Sequence, residues 1–585
     1  MSRKAVLDLL EGAARYLDEL DTGSGERVCH KHGVEHLGKT AYRIHMGLAL
    51  AKNRGADLRV VRETALHLAK RCRKYPHPEA RAYLFFERWP DKWNCSNHLI
   101  DSGAACDALG RALIEAPEIF DDEQRELVED ALGKCAETYL WAAAVDKPVP
   151  AQCLWAALGM ARASVALNRD DLAERARAAI QHAYLPQRPD GSWSYYPSGG
   201  EAGSDDASAF YHSRCIGFAL ETLDLIGDDP CEEPHRGNLT RALDFLLALH
   251  RVDDTKCRAW EAKLWYFDGP AEVASNSFDV HALVLGQRAF RDNRYAARAK
   301  QSLESLIAAQ GSDGSIQSGA VESFQCSTFW TAHTGLLSSV LDEFDELDLI
   351  ADATVALRSV LFEDAGLGRL VSGSRIVLVR GNRSSSSPGF GGIRGGGAIV
   401  SDSSLAKGER IEHATLRSDE VGEFRMPARG LRFTSDASRL KTALVWLRFS
   451  RWRWRCELRA SGMSAAIHLA ARTIREVLRW CRTDVASHFA SDARMTLHES
   501  TLRIESQLAS IDGKPLVGTR TERRVELTSQ ALVVEDIVTS DKPWARMDYR
   551  LPVGAIEVTC NQSPIANEYA TTQNQTRMEV RYKIP

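Results

Sequence analysis

The chain is expected to be a multidomain α+β protein: an N-terminal (α/α)6-type incomplete toroid followed by an antiparallel β-sandwich domain. Two observations predict this. A helix start recurs through roughly the first 360 residues, and the hydrophobic period then drops from 3.6 to 2. The recurring start appears as Tyr42–Gly47, His98–Gly103, Leu154–Gly159, His212–Gly217, His281–Gly286 and Trp330–Gly335, each with glycine five residues after its first member. The spacing between successive glycines holds one helical hairpin with its loops. Self-similarity at that period is the mark of a repeat architecture. Equivalent helices then share one end of a ring.

The elements follow in order. Stretches such as DDEQRELVEDALGKCAETYLWAAA and LTRALDFLLALHRV read as helices, and PQRPDGSWSYYPSGGEAGSDD and AAQGSDGSIQSG as turn-rich breaks. Residues 1–362 are therefore assigned to the toroid and 363–585 to the β domain. In the second part RIVLVRG, TLRIESQLAS and RRVELTSQALVVEDIV alternate as strands do. ALVWLRFSRWRWRCELR is read the same way, with Trp452, Trp454, Cys456 and Leu458 on one face and Arg451, Arg453, Arg455 and Glu457 on the other. MSAAIHLAARTIREVLRWCR reads as a helix inside the β region, and Ser384–Gly397 as a mobile loop.

Composition narrows the partners. The net charge of -5 gives no global attraction to nucleic acid or an anionic membrane, so neither is expected as a partner. No apolar run approaches the ~20 residues needed to span a bilayer. The opening MSRKAVLDLLEGAARYLDELD is interrupted by acids and lacks a secretory apolar core, which points to the cytoplasm. Thirteen cysteines with no CxxC pair read as buried free thiols rather than disulfides or a metal site.

The chemistry-bearing residues sit at the helix starts. Helix N-termini present unpaired N–H groups and partial positive charge, which suits an anionic substrate. Tyr211 and Arg214 are three apart on one helix face, and a guanidinium beside a phenol favours phenolate. Tyr211 is thus a candidate general base or acid. Asn97 offers an amide to a carboxylate, and His98 is a second proton carrier. Asn97 also suits a helix cap, and His98, His212 and His281 suit inter-helical hydrogen bonds. Gln152, Trp155, Trp193, His212, Asn276 and His281 complete the candidates, as substrate-binding positions.

Asn97-His98-Leu99-Ile100 resembles the "NHLL" helix of the heparinase II/III and alginate-lyase polysaccharide lyases. Pro189-Asp190-Gly191-Ser192-Trp193 with Phe210-Tyr211-His212 is similar to their "DG…YH" segment, and TERRVELTSQALVVEDIV to their "R-x-V…V-x-D" strands. The resemblance implies β-elimination on a uronate-containing acidic polysaccharide, with no metal or organic cofactor. An amide, Asn97 or Gln152, would neutralise the carboxylate, and Tyr211 would take the C5 proton. Asn97 and Tyr211 stand two repeats apart, where the family places its pair on neighbouring helices; Gln152 lies between them. Other readings stay open. A toroidal glycoside hydrolase would use two of Asp101, Glu201, Asp205, Asp206 and Asp279. Gln187–Trp193 matches the QxxDGSW repeat of terpene-cyclase toroids, and a non-catalytic carbohydrate-binding protein is the third class.

Overall fold

The computed structural model describes residues 3–76, 81–86, 96–147, 149–194, 207, 209–250, 276–316, 326–350, 358–373, 375–382, 395–403, 423–426, 485–490, 492–510, 515–552, 555–565 and 569–584, with isolated positions from 451 to 471. They form two compact units, one holding Met1–Ser198, Phe210–Leu247 and Glu272–Val355, the other centred on Ala356–Pro585.

Six helical hairpins are described in the first unit. Outer and inner helices alternate: α1 (Arg3–Glu19) with α2 (Leu37–Arg54), and α3 (Arg59–Arg71) with α4 (Ser96–Glu115). Next, α5 (Asp122–Cys135) runs through a π-helical turn into α6 (Trp141–Asp146) and pairs with α7 (Pro150–Leu167). The last three pairs are α8 (Asp170–Tyr184) with α9 (Ala209–Ile226), α10 (His235–Leu249) with α11 (Asn276–Phe290), and α12 (Asn293–Ala308) with α13 (Ser327–His333), whose 3-10 continuation is Thr334–Glu343. The sequence distinguishes inner from outer. In α7 every residue from Pro150 to Ser164 is buried, as a helix enclosed on all sides must be. The outer α8 buries only a stripe of Leu172, Ala176, Ala179, Ile180 and Ala183 with Tyr184. The α1 and α2 helices touch α13 and its continuation, so the last hairpin meets the first.

The repeated glycines have a steric cause. A Cβ at Gly103 would lie 2.7 Å from the Trp155 carbonyl oxygen, one at Gly159 2.9 Å from that of Gly103, and one at Gly335 2.7 Å from that of Tyr42. These are the points where neighbouring inner helices touch backbone to backbone.

Gln187–Trp193 and Gln310–Ile316 form matching turns. In each, the glutamine amide donates to the glycine carbonyl (Gly191 or Gly314), and the aspartate accepts from the serine N–H and hydroxyl. Each glutamine also donates to the backbone of a neighbouring outer helix: Gln187 to Asn238 on α10, and Gln310 to Leu9 on α1, both at 2.9 Å. The QxxDGSW match therefore marks a structural staple.

The second unit holds antiparallel sheets of seven, five and four strands among the described residues. Its centre is a buried ion pair. Arg523, on the inward face of Thr519–Leu527, stands directly across from Asp536 of Leu532–Trp544 and binds it through two hydrogen bonds of 2.6 Å. The Tyr549 hydroxyl, from the five-stranded sheet, donates to the same carboxylate, which ties the two sheets. These are the Arg and Asp of the "R-x-V…V-x-D" stretch.

One strand expectation fails. Arg451, Trp454, Arg455, Leu458 and Arg459 are helical, with the three arginines exposed and Trp454 and Leu458 half-buried. Residues four apart share a helix face as surely as a strand face, so the run satisfied both periods. Trp452, Arg453, Cys456 and Glu457 lie outside the described residues, as does most of Ser384–Gly397. Described positions of the MSAAIHLAAR stretch are helical. Among the described residues no helix is long and apolar enough to cross a membrane.

Replacing Gly103 by alanine is expected to lower stability by about 1–3 kcal/mol, since a helix backbone must yield; urea unfolding measures it. Asp536→Asn leaves the buried Arg523 without its counter-charge and is expected to cost about 3–5 kcal/mol, read in the same way.

Candidate functional site

On α4, α7 and α9 a charged side chain enters the ring a turn past the glycine: Asp107 after Gly103, Arg162 after Gly159 and Glu221 after Gly217. Arg162 on α7 donates to Asp107 of α4 and to Glu221 of α9, both at 2.8 Å, and His281 of α11 meets Glu221 at 2.8 Å. His45 of α2 lies 3.3 Å from Asp107, and Arg111 reaches both His45 and Ser338 at 2.8 Å. Burial pushes Asp107 up to about 6, further than Arg162 draws it back, and the Glu221 charge adds to the rise. Glu221 moves the other way. Burial opposes its ionisation, but the hydrogen bond and charge of His281, with Arg162, hold it below the usual carboxylate range. Burial and the Arg111 charge keep His45 well below the ordinary imidazole value.

This relay aligns the helices in parallel. Asp107 and Arg162 are 55 residues apart, and Arg162 and Glu221 are 59 apart. Trp155 and Arg214 meet at the second of these offsets, with the Arg214 guanidinium 5.9 Å from the indole ring centre. The same offsets, one turn towards the helix starts, set Gln152 level with Tyr211 and Asn97 level with Gln152. Three candidate residues thus occupy one level on the consecutive helices α4, α7 and α9. The side chains of Asn97 and Asn276 lie outside the described residues; their backbones sit in the first turns of α4 and α11.

Gln152 is fully buried, and neither its amide oxygen nor its nitrogen has a hydrogen-bond partner among the described residues. An unsatisfied buried amide costs on the order of 1–3 kcal/mol, so it needs a reason. Tyr211 is 5% exposed, and the Arg214 guanidinium lies 4.5 Å from its ring centre. Arg214 also stacks on Phe278 at 4.0 Å and Phe329 at 5.7 Å. His333 stands in this aromatic group, its ring centre 4.9 Å from that of Tyr42 and 4.2 Å from that of Phe329. Burial and the Arg214 charge hold it well below the usual imidazole value, so it is neutral at physiological pH. Tyr42 is raised well above the phenol value by burial, then by the Asp107 charge. His98 is buried edge-on to Phe86.

Other expected substrate-binding residues spend their polar atoms within the ring. Trp193 donates to the Ala183 carbonyl at 2.9 Å, His212 bonds that of Ala242 at 2.8 Å, and His281 belongs to the relay. Trp155 is 1% exposed, packed on Phe218 at 4.8 Å. Of the carboxylates that a hydrolase needs, Asp101 accepts from the Gly38 N–H at 2.9 Å and Asp279 is fully buried; Glu201, Asp205 and Asp206 lie outside the described residues. At the opposite, C-terminal ends of the inner helices lies a cavity of about 710 Å³ that Lys52, Arg111, Glu221, Arg288 and Asp342 help to line. The relay went unread in the sequence, although a lone charge three or four residues after Gly103, Gly159 and Gly217 was its signal.

No family model matches the chain, and no curated relative matches it. Solved structures match its fold. The chondroitin AC lyase of Streptomyces coelicolor A3, in complex with chondroitin sulphate, aligns over 100% of this chain and 77% of its own, with a TM-score of 0.53 and 12% identity. A variant of that enzyme scores 0.52 with the same coverage and identity. A heparinase III aligns over 94% of this chain and 76% of its own, at 0.47 and 10%. The chain therefore has the toroid-plus-β-sheet fold of the chondroitin lyase.

Glu221→Gln is expected to destabilise the ring by up to about 3–5 kcal/mol, because the buried Arg162 keeps its charge and loses one of its two carboxylate partners. Arg162→Met should cost at least as much, because it leaves both Asp107 and Glu221 without their shared cation, as measured by urea unfolding of the two variants.

Proposed function

We propose that the chain is a polysaccharide lyase that cleaves a uronate-containing acidic polysaccharide by β-elimination. The observation that carries this reading is the buried Gln152 amide, unpartnered and level with Tyr211 on the next helix. The C5 proton of a uronate becomes acidic only once its carboxylate charge is offset. The Gln152 amide, or Asn97 beside it on α4, donates to that carboxylate and stabilises the enolate-like intermediate. In a dry setting such a hydrogen bond to an anion is strong. Tyr211 removes the C5 proton, the C4–O4 bond breaks, and C4 and C5 become doubly bonded. The departing oxygen takes a proton from Tyr211 or His98. Arg214, against the Tyr211 ring, favours the phenolate that the first step needs. The fold shared with a chondroitin lyase is consistent with this reading.

The purified chain should be incubated with chondroitin sulphate, alginate and related acidic polysaccharides while the ultraviolet absorbance of unsaturated uronate is followed. Tyr211→Phe is expected to lower turnover by about 10²–10⁴-fold, and Gln152→Ala by about 10²–10³-fold, with circular dichroism unchanged. Full turnover in Tyr211→Phe would refute the assignment. New reducing ends without unsaturated product would favour the hydrolase.

A further inference from the structure

A second cluster lies apart from the Gln152–Tyr211 level, where the first hairpin meets the last. Cys29 and His32 belong to the loop between α1 and α2, and Cys326 is the N-cap of α13. All three are buried. The Cys29 and Cys326 sulfurs are 3.3 Å apart, and Cys29 Sγ is 3.4 Å from His32 Nδ1. Their three donor atoms all lie within 4.8 Å of one another. We infer that Cys29, His32 and Cys326 form a binding site for a thiophilic divalent cation of the zinc class, which fastens the sixth hairpin to the first.

Ligand type, spacing and charge support this. Two thiolates and an imidazole are the donors that zinc selects over harder cations. Bonds of about 2.3 Å to sulfur and 2.0–2.1 Å to nitrogen put tetrahedral donors roughly 3.5–3.8 Å apart. The two short separations here are within a few tenths of an ångström of that. Two thiolates neutralise the ion, so the buried site carries no net charge. Lys39, with Nζ 3.6 Å from Cys326 Sγ, is placed to donate to a metal-bound thiolate, the outer contact that commonly orients a ligand. Among the described residues three donors converge, and water completes the tetrahedron. A disulfide is the rival, but the sulfurs stand well beyond the roughly 2.05 Å of an S–S bond. The pairing escaped the sequence because Cys29 and His32 form a C-x-x-H, and their third partner lies 297 residues away.

The test is the metal content of the full chain, purified under reducing conditions, supplied with zinc and dialysed. One zinc per chain is expected. Cobalt in its place should give thiolate-to-metal charge-transfer absorption. Cys326→Ser and His32→Asn should each abolish stoichiometric zinc and the cobalt band, while Cys231→Ser, an exposed thiol elsewhere, keeps both. Zinc should raise the unfolding temperature of the wild-type chain and leave that of Cys326→Ser unmoved. Absence of bound zinc in the reduced wild-type chain would overturn the inference, whatever the variants do. So would zinc retained by both Cys326→Ser and His32→Asn, or a Cys29–Cys326 disulfide in a chain whose reduced form binds no zinc. None of these readouts depends on turnover, so the lyase reading stands or falls separately.

Discussion

Arg162 sits inside the ring between two carboxylates, Asp107 on one neighbouring helix and Glu221 on the other, and His281 extends the line to a fourth helix. A charge in so dry a place is tolerable only with its partners at hydrogen-bonding distance. Sliding any one helix by a turn, about 5.4 Å, would strand a guanidinium or a carboxylate. Hydrophobic contact between small-residue helices is far less particular, since alanines and leucines one turn apart are nearly interchangeable. The relay is thus what holds α4, α7, α9 and α11 in one parallel register. The alignment of Asn97, Gln152 and Tyr211 is a consequence of it.

Above the relay the character of the interior changes. Burial and the nearby guanidinium keep His333 neutral, burial keeps Tyr42 protonated, and the cation at that level is Arg214, stacked among aromatic rings. The ring therefore separates fixed structural charge, deep between the helices, from neutral groups and a stacked cation near the helix starts. An anion entering at the starts would meet a cation and an uncommitted amide before it met Glu221 or Asp107.

What could be read from the residues alone follows from this division. The glycine repeat was legible because backbone contact between helices tolerates no side chain, so Gly103, Gly159 and Gly335 recur at fixed places. Gln152 and Tyr211 could be singled out because an amide and a phenol are conspicuous at apolar helix starts. The relay was not legible, since one Asp, one Arg and one Glu on separate helices look like isolated charges until the ring brings them together. Trp193, His212 and His281 looked like substrate contacts because an aromatic or imidazole ring near a helix start reads the same whether it faces a ligand or a neighbouring carbonyl. The Arg451–Leu458 run was misread for a simpler reason: a spacing of four satisfies both periods, and its length did not arbitrate.

The Gln310 staple, which docks on the carbonyl of Leu9 across 301 residues of chain, also carries a consequence for synthesis. Of the six hairpins, the first to be translated is the last to gain its neighbour on that side. At about 5–20 residues per second, α1 and α2 wait roughly 15–60 s before the sixth hairpin exists to cover them. Throughout that interval the growing arc keeps the apolar edge of its first hairpin in water. The nascent chain is most exposed to aggregation and to chaperones at this stage, and the end of that exposure is set by translation rather than by the intrinsic speed of helix packing.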